Sequence, residues 1–266
     1  MSHLFNRHHI DTFHKRRSLN FEQHNFLFEY AKDEIETRLS EIKRSFKDKI
    51  ILGQRIKIDG YTSINIARNN EDTTEIIPLE PQSADCILSI LDLHAVNDLP
   101  TYLLQIRHAL RPDGVFMAAL FGGETLFELR HALLNSEIKI LGGASPRIYP
   151  FADKQQMGAL MQNAGFALPV IDSEILPVSY QSMFNLIADL RGMGESNALK
   201  NRYKKFTPAK LFGHAAELYQ QQFAGKDGRI TASFEIIFLI GWAPHESQQQ
   251  PQKRGSAQIS LADHLK

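Results

Sequence analysis

An α/β fold, a doubly wound sheet finished by an antiparallel C-terminal strand pair, is what this 266-residue chain predicts. Residues 84–93, ADCILSILDL, form a continuous apolar run of strand length, the pattern of a parallel strand buried on both faces. A helical pattern and a turn lead to a second such run, VFMAALF at 115–121. Strand, helix, turn and strand within about 40 residues make a βαβ unit, whose strands are parallel. The third observation is the last extended segment, ITASFEIIFLIGWA at 230–243, which follows two helical patterns.

Taken in order, the N-terminal stretch MSHLFNRHHIDTFHKRRSLNF is basic and His-rich like a transit peptide. It carries Asp11 and Glu22 and runs into a helix, so it reads as part of the fold. Between residues 21 and 46, Phe26, Leu27, Tyr30, Ile35, Leu39 and Ile42 recur at helical spacing and predict an amphipathic helix that docks on the sheet as a lid. Residues 48–81 are rich in Ile and Thr, with Gly53 and Gly60, and read as short strands and turns without a long helix. Pro100 opens a helix in the first-turn position where proline is tolerated, and residues 111–114, Arg-Pro-Asp-Gly, are a turn by composition. Residues 124–138 form a helix after Gly122 and Gly123, and residues 153–164 form another that Gly165 stops. ALPVIDSEILPVSY, 167–180, supplies two extended segments; residues 182–194 and 207–223 are amphipathic helices, the second capped by Thr207 and Pro208. A polar tail starts at His245.

Composition narrows the function. Thirty basic and thirty acidic residues leave no net charge, which argues against a mainly electrostatic nucleic-acid binder. One cysteine, Cys86, cannot form an internal disulfide and lies in an apolar run, so a buried thiol is expected. No apolar stretch is long enough for a transmembrane helix. His8, His9 and His14 lack the spacing of a metal site, and no metal is expected.

Ligands of doubly wound sheets bind beyond the carboxyl ends of the strands, which directs attention to three segments. The first offers only Leu52-Gly53-Gln54-Arg55, one glycine where a nucleotide loop has two or three. From Ile50 to Asp85 the chain is also too short for a complete nucleotide-binding half. At the second, Asp92 and His94 can face a pocket, for polar contacts or general-base work, with Asn97 or Asp98 capping the next helix. At the third, FGGETLFELR places Glu124 as a cap and Arg130 as a pocket or salt-bridge residue. The Gly-rich loop 191–197 and the strand exit 241–247, with the only tryptophan, are further candidates.

The segments LDLHAVNDLP, QIRHALRPDGVFMAALFGGETLFELR, GGASPRIYPFAD, DLRGMGESNAL and FEIIFLIGWAPHESQQQP with RGSA resemble the methyltransferase-like family of mitochondrial complex I assembly factor five and its alphaproteobacterial relatives. That family is similar to class I biotin-synthesis methyltransferases, and the resemblance covers nearly the whole chain. It implies a class I methyltransferase (Rossmann-like) sheet, truncated here in its N-terminal half, with S-adenosyl-L-methionine as cofactor. For the mitochondrial branch it implies maturation of respiratory complex I by modification of an arginine, a hydroxylation. The chain departs from the family's acidic-Gly-x-Gly-x-Gly loop at Gly53, and Ala95 stands where a tryptophan follows the motif histidine. Carried across by position, Gly53 is the remnant of the cofactor loop, Asp92 and His94 line the cofactor side, and Asp59 is the ribose-binding acid. His94 takes the proton role, and Arg130, Arg147 and Glu195 position the acceptor. The implied function is an S-adenosylmethionine-dependent methyltransferase-like protein acting on a complex I subunit; the alternative is a non-methylating assembly factor, a binding module or arginine-modifying protein for NADH dehydrogenase. The expected division is a helical lid over 1–46, an α/β domain over 47–247 with a helical insertion at about 180–222, and a polar tail over 248–266. The compartment implied is the cytoplasm of a bacterium or the mitochondrial matrix of a eukaryote.

Overall fold

In a computed structural model of the chain, residues 3–17, 19–68 and 75–249 are described. Alternation along the inner strands fixes the layers. Ile50 and Leu52 of β1 (Lys49–Leu52) point to one face of the sheet and Ile51 to the other. In β5 (Ala84–Ile90) Ile87 likewise opposes Cys86 and Leu88, so both faces are buried, as the continuous apolar run requires. On the face of Ile51 and Leu88 lie α2 (Phe26–Ser40), α4 (Phe127–Leu141), α6 (Met183–Met193) and α7 (Ala209–Phe223). On the other lie α3 (Leu99–Ala109) and α5 (Lys154–Asn163), through Tyr102, Leu103, Ile106, Met157 and Met161.

The six-stranded sheet runs β2-β1-β5-β6-β8-β7. Strands β2 (Thr62–Ile64), β1, β5 and β6 (Leu110–Phe121) pair in parallel. The long β8 (Ile230–Trp242) is antiparallel to β6 and to the edge strand β7 (Ala167–Tyr180). This is a class I methyltransferase-type sheet with its antiparallel C-terminal pair. Its N-terminal half is the shortened part. β1 ends at Leu52 and β2 begins at Thr62, so residues 53–61 join parallel neighbours without a helix. Such a crossover ordinarily takes about a dozen residues or more. A two-stranded pair, β3 (Ala67–Arg68) with β4 (Glu75–Ile76), fills the rest of that half.

Several boundaries differ from the sequence reading, each for a local reason. Residues 167–180 make one strand rather than two, because β8 is long enough to pair with them from Ala167 to Tyr180 with a single register shift. The Arg111–Gly114 turn is a bulge inside β6, with Asp113 at a φ of 62° and the register to β5 shifted around it. Helix α4 starts at Phe127, not Glu124, after Leu126 at a φ of 57°. Glu124 therefore caps nothing; its N–H donates to Glu235 Oε2 at 3.0 Å. The predicted helix over 21–46 is split into a 3₁₀ turn, Phe21–Gln23, and α2. Helix α1 (Arg7–Arg17) lies within the expected helical lid of 1–46, but the sequence does not mark it as a separate helix, since only Ile10 of it is fully buried and no apolar period shows. It is nevertheless tied to the sheet end: Phe5 N donates to Asn97 Oδ1 at 2.8 Å and Arg7 Nη1 to the Ala95 carbonyl at 3.0 Å. Cys86 is buried, and its thiol is pushed up to about 11, first by burial. The RGSA segment and the rest of the tail from residue 250 lie outside the described residues. Among those described, no helix is long and apolar enough to cross a membrane, and no group of three His, Cys, Asp or Glu is placed to hold a metal.

Candidate functional site

The chain leaves β1 outward to β2 and returns as β5 on the other side of β1, so the carboxyl ends of β1 and β5 flank the switch point where such sheets bind ligands. Gly53 follows β1 directly; Leu91 and Asp92 follow β5. A cleft of about 960 Å³ opens there, lined from the sheet by Gly53, Arg55, Asn65 and Asp92 and from α1 by His14 and Arg7.

At the cleft's inner end a buried ion cluster is built around Arg55, a residue that the sequence reading quoted but gave no role. Its guanidinium reaches Asp92 Oδ1 from Nη2 at 2.7 Å and Glu195 Oε1 from Nη1 at 2.5 Å. Nη2 also donates to the Leu91 carbonyl, and the Phe28 ring of α2 lies 4.4 Å from Cζ. The Arg55 side chain is 9% exposed. Burial works against its charge, and Asp92 and Glu195 outweigh burial, so its pKa is raised. The Leu91 backbone that presents the carbonyl sits at a φ of 51°, a strained conformation for a bulky residue of the kind that gathers at functional sites.

His94, on the 3₁₀ turn Leu93–Ala95, completes the cluster: its Nε2 lies 3.1 Å from Glu195 Oε2. An ionised carboxylate only accepts, so Nε2 carries the proton. The ring is fully buried against Phe121 at 4.8 Å and Phe151 at 5.7 Å, and Nδ1 has no hydrogen-bond partner among the described residues. Glu195 is delivered by the end of α6, where Gly194 turns the chain at a φ of 84° and Glu195 N returns to the Leu190 carbonyl at 2.8 Å. Burial would raise the Glu195 carboxyl, but His94 and Arg55 outweigh it and hold it below the usual carboxylate range. Tyr149 fixes the following loop, its hydroxyl donating to the Ser196 carbonyl at 2.9 Å and accepting from Ala198 N at 3.1 Å.

Of the candidates, the structure thus brings Gly53, Asp92, His94 and Glu195 together, from sequence positions far apart. It does not bring in the other three. Asp59 precedes β2, and since Thr62 pairs with Ile50 it lies at the amino ends of these parallel strands, opposite the cleft. Arg130 donates to the Gly123 and Thr125 carbonyls, both at 3.3 Å, and so closes the turn before α4. Arg147 is paired with Glu137 at 2.9 Å; it lines a pocket of about 40 Å³ behind Glu195, room for a few waters. His245 bonds Ser247 and Gln248 at the strand exit.

S-adenosylmethionine, the cofactor implied by the resemblance, is a cation that in such folds lies on a glycine loop with free backbone N–H groups and a helix start. The residues here do not fit that cradle. No helix follows β1, and Gly53 N–H is spent on the Ile64 carbonyl at 2.9 Å. The space above the Gly53 α-carbon holds the Asp92 carboxylate, which an added Cβ would meet at 2.2 Å. A guanidinium already neutralises that carboxylate.

His14 reports on the cleft. Burial, then the Arg55 charge, push its pKa down to about 4. Its unfolded value is about 6.5, so between the two the unfolded chain binds more protons and stability falls as pH drops through that window. The His14→Gln variant is expected to lose less of its Tm than the unsubstituted chain between about pH 7 and pH 5. Equal losses in thermal melts would contradict this placement of His14.

Comparison with known proteins places this geometry in a family. Residues 53–118 match the methyltransferase domain family. The human mitochondrial arginine-hydroxylase NDUFAF5 is 37% identical over 264 residues, covering 89% of this chain and 76% of that protein. The chain spans 42% to 59% of the length of four further relatives of that name. The malonyl-(acyl-carrier protein) O-methyltransferase of Xylella fastidiosa is 34% identical over 168 residues, 63% of this chain and 55% of that protein. Among solved structures, the YcgJ protein of Bacillus subtilis aligns with a TM-score of 0.48 at 11% identity, over 80% of this chain and 99% of that one. With the human hydroxylase matched over 76% of its length at that identity, the chain belongs to the methyltransferase-like family of the mitochondrial arginine-hydroxylase NDUFAF5.

Proposed function

We propose that this chain is an assembly factor of respiratory complex I that binds an arginine side chain of a complex I subunit at the Asp92–Glu195 pair, and that it does not hold S-adenosylmethionine in the manner of a methyltransferase. The observation that carries the reading is the guanidinium clamp: two carboxylates, a carbonyl and an aromatic face converge on one planar cation at the switch point of the sheet. Those groups match a guanidinium better than an ammonium, since they use its fork of donors and its flat face. Membership of a family whose relatives are named arginine-hydroxylases supports the choice of arginine. Chemistry on that arginine falls to the groups that face it, with His94 and Glu195 able to hold or pass a proton at Nε2. The reading places the protein where complex I matures, the bacterial cytoplasm or the mitochondrial matrix.

Deleting the gene is expected to lower NADH dehydrogenase activity, and the unsubstituted chain, but not Asp92→Asn at matched protein level, is expected to restore it. An unchanged activity in the deletion strain would overturn the reading. Calorimetric titration with S-adenosylmethionine is expected to give no binding heat up to millimolar concentration; micromolar binding would return the protein to the methyltransferases.

A further inference from the structure

Arg55 sits where the reading above puts a substrate. The groups that hold it come from separate, rigid elements: Phe28 from α2, Leu91 and Asp92 from the end of β5, and Glu195 from the end of α6. Arg55 itself comes from the helix-free connector 53–61, where it lies between exposed Gln54 and buried Ile56; Ile56 and Ile58 hold the connector to the core, and Lys57 between them is exposed. So the clamp is built by the scaffold and its occupant by a loop. The occupant is imperfectly held, since Arg55 Nε is buried without a partner among the described residues, as is His94 Nδ1 next to the clamp. The open cleft runs up to Arg55, Asp92 and Met193, which gives an incoming chain a way to the same point.

We infer that Arg55 is a resident stand-in: it fills the guanidinium site while the protein is alone and yields it to an arginine of the docking subunit. This rests on the arginine-binding reading and adds its regulation. The logic is electrostatic. Two carboxylates that face one cavity cannot both remain ionised and buried without a cation, so an empty clamp would protonate or open. A tethered arginine keeps the clamp assembled and charged. Replacing one guanidinium by another leaves that balance unchanged, whereas a lysine cannot reproduce the forked contacts. The stand-in also sets selectivity, because an external arginine must compete with a tethered one, and apparent affinity falls by the fraction of molecules in which the site is free.

The test uses the full chain and its Arg55→Ala and Arg55→Gln variants, titrated calorimetrically with acetyl-Gly-Arg-Gly-amide and with its lysine counterpart. Both variants are expected to bind the arginine peptide at least about tenfold more tightly than the unsubstituted chain, and the lysine peptide at least about tenfold more weakly than the arginine peptide. In parallel, 1-propylguanidine is expected to raise the Tm of Arg55→Ala and leave that of the unsubstituted chain in place. Arg55→Gln keeps a planar donor in the clamp and serves where the alanine variant fails to fold. Equal binding of the arginine peptide by all three proteins overturns the stand-in and leaves the arginine-binding reading intact. Propylguanidine rescue without tighter peptide binding also overturns it, because the hole would then accept a guanidinium that no chain can deliver. If none of the three binds the peptide, the stand-in is overturned, and the deletion strain decides separately whether the complex I reading falls with it.

Discussion

Replacing Glu195 with Gln should be among the most damaging single changes in the protein, lowering stability by about 3 kcal/mol and Tm by roughly 6–12 °C for a chain of this size. Glu195 pairs with both Arg55 and His94, and its side chain is 10% exposed. An amide keeps the shape but gives Arg55 a neutral partner and turns an NH₂ towards one of two donors, so a buried guanidinium is left short of charge. The pH dependence separates this from generic damage. Because His94 and Arg55 hold the Glu195 carboxyl low against the opposing effect of burial, its contribution is full above the unfolded value of about 4.3 and is lost as pH falls through that value toward the folded one. The gap in Tm between the two proteins should therefore be widest near neutrality and shrink below about pH 4. A gap that stays constant across that range in thermal melts would show that Glu195 acts through shape rather than charge. The same variant should fail to restore NADH dehydrogenase activity at matched protein level, since it alters the clamp itself.

How much of this was legible beforehand follows from what each signal depends on. Strands β5 and β6 and the helix between them announce themselves, because burial on both faces needs an uninterrupted apolar run and a βαβ unit needs a helical period between two such runs. The missing crossover was also readable, as simple length between Ile50 and Asp85, and among the described residues of that segment there is no helix. Asp92 and His94 were found because strand ends of doubly wound sheets are where ligands bind, and Glu195 because a Gly-rich loop carrying polar side chains is unusual for a connector. Arg55 escaped that reasoning. A lone arginine in a short loop has no period or spacing of its own, and its meaning comes only when β5 and α6 bring carboxylates to it from 37 and 140 residues away. The hint available was a negative one, a cation where a glycine loop should have been. Helix α1 escaped for a related reason: besides Ile10 and Phe13, which are too few to make an apolar period, it is held by polar contacts such as Arg7 with the Ala95 carbonyl and with Glu75 at 3.4 Å, which leave no hydrophobic trace in the sequence.

Gly53→Ala is the second change expected to have a large effect, and it asks what the surviving glycine is for. In a nucleotide loop the glycine leaves room for the ligand, so an added methyl abolishes cofactor binding with a modest cost to the fold. Here the room is occupied by the protein. Gly53 has a φ of 102°, and a Cβ there would lie 2.2 Å from Asp92 Oδ2. Asp92 cannot retreat without releasing Arg55 Nη2, so the cost combines backbone strain with a weakened ion pair and should reach about 2–4 kcal/mol, read by chemical denaturation. The two contributions can be told apart by a double-mutant cycle. Asp92→Ala removes the obstacle and leaves the strained φ, so the penalty of Gly53→Ala should fall by about 1–2 kcal/mol in that background. A penalty unchanged by Asp92→Ala would mean that the glycine is kept only for its backbone angle, whereas the expected coupling ties it to the carboxylate and through it to the guanidinium clamp. On that outcome the glycine of the old loop position has a new role in this chain: it lets an acid close over the end of β1 and face an arginine, at the point where the fold ordinarily presents bare backbone to a nucleotide.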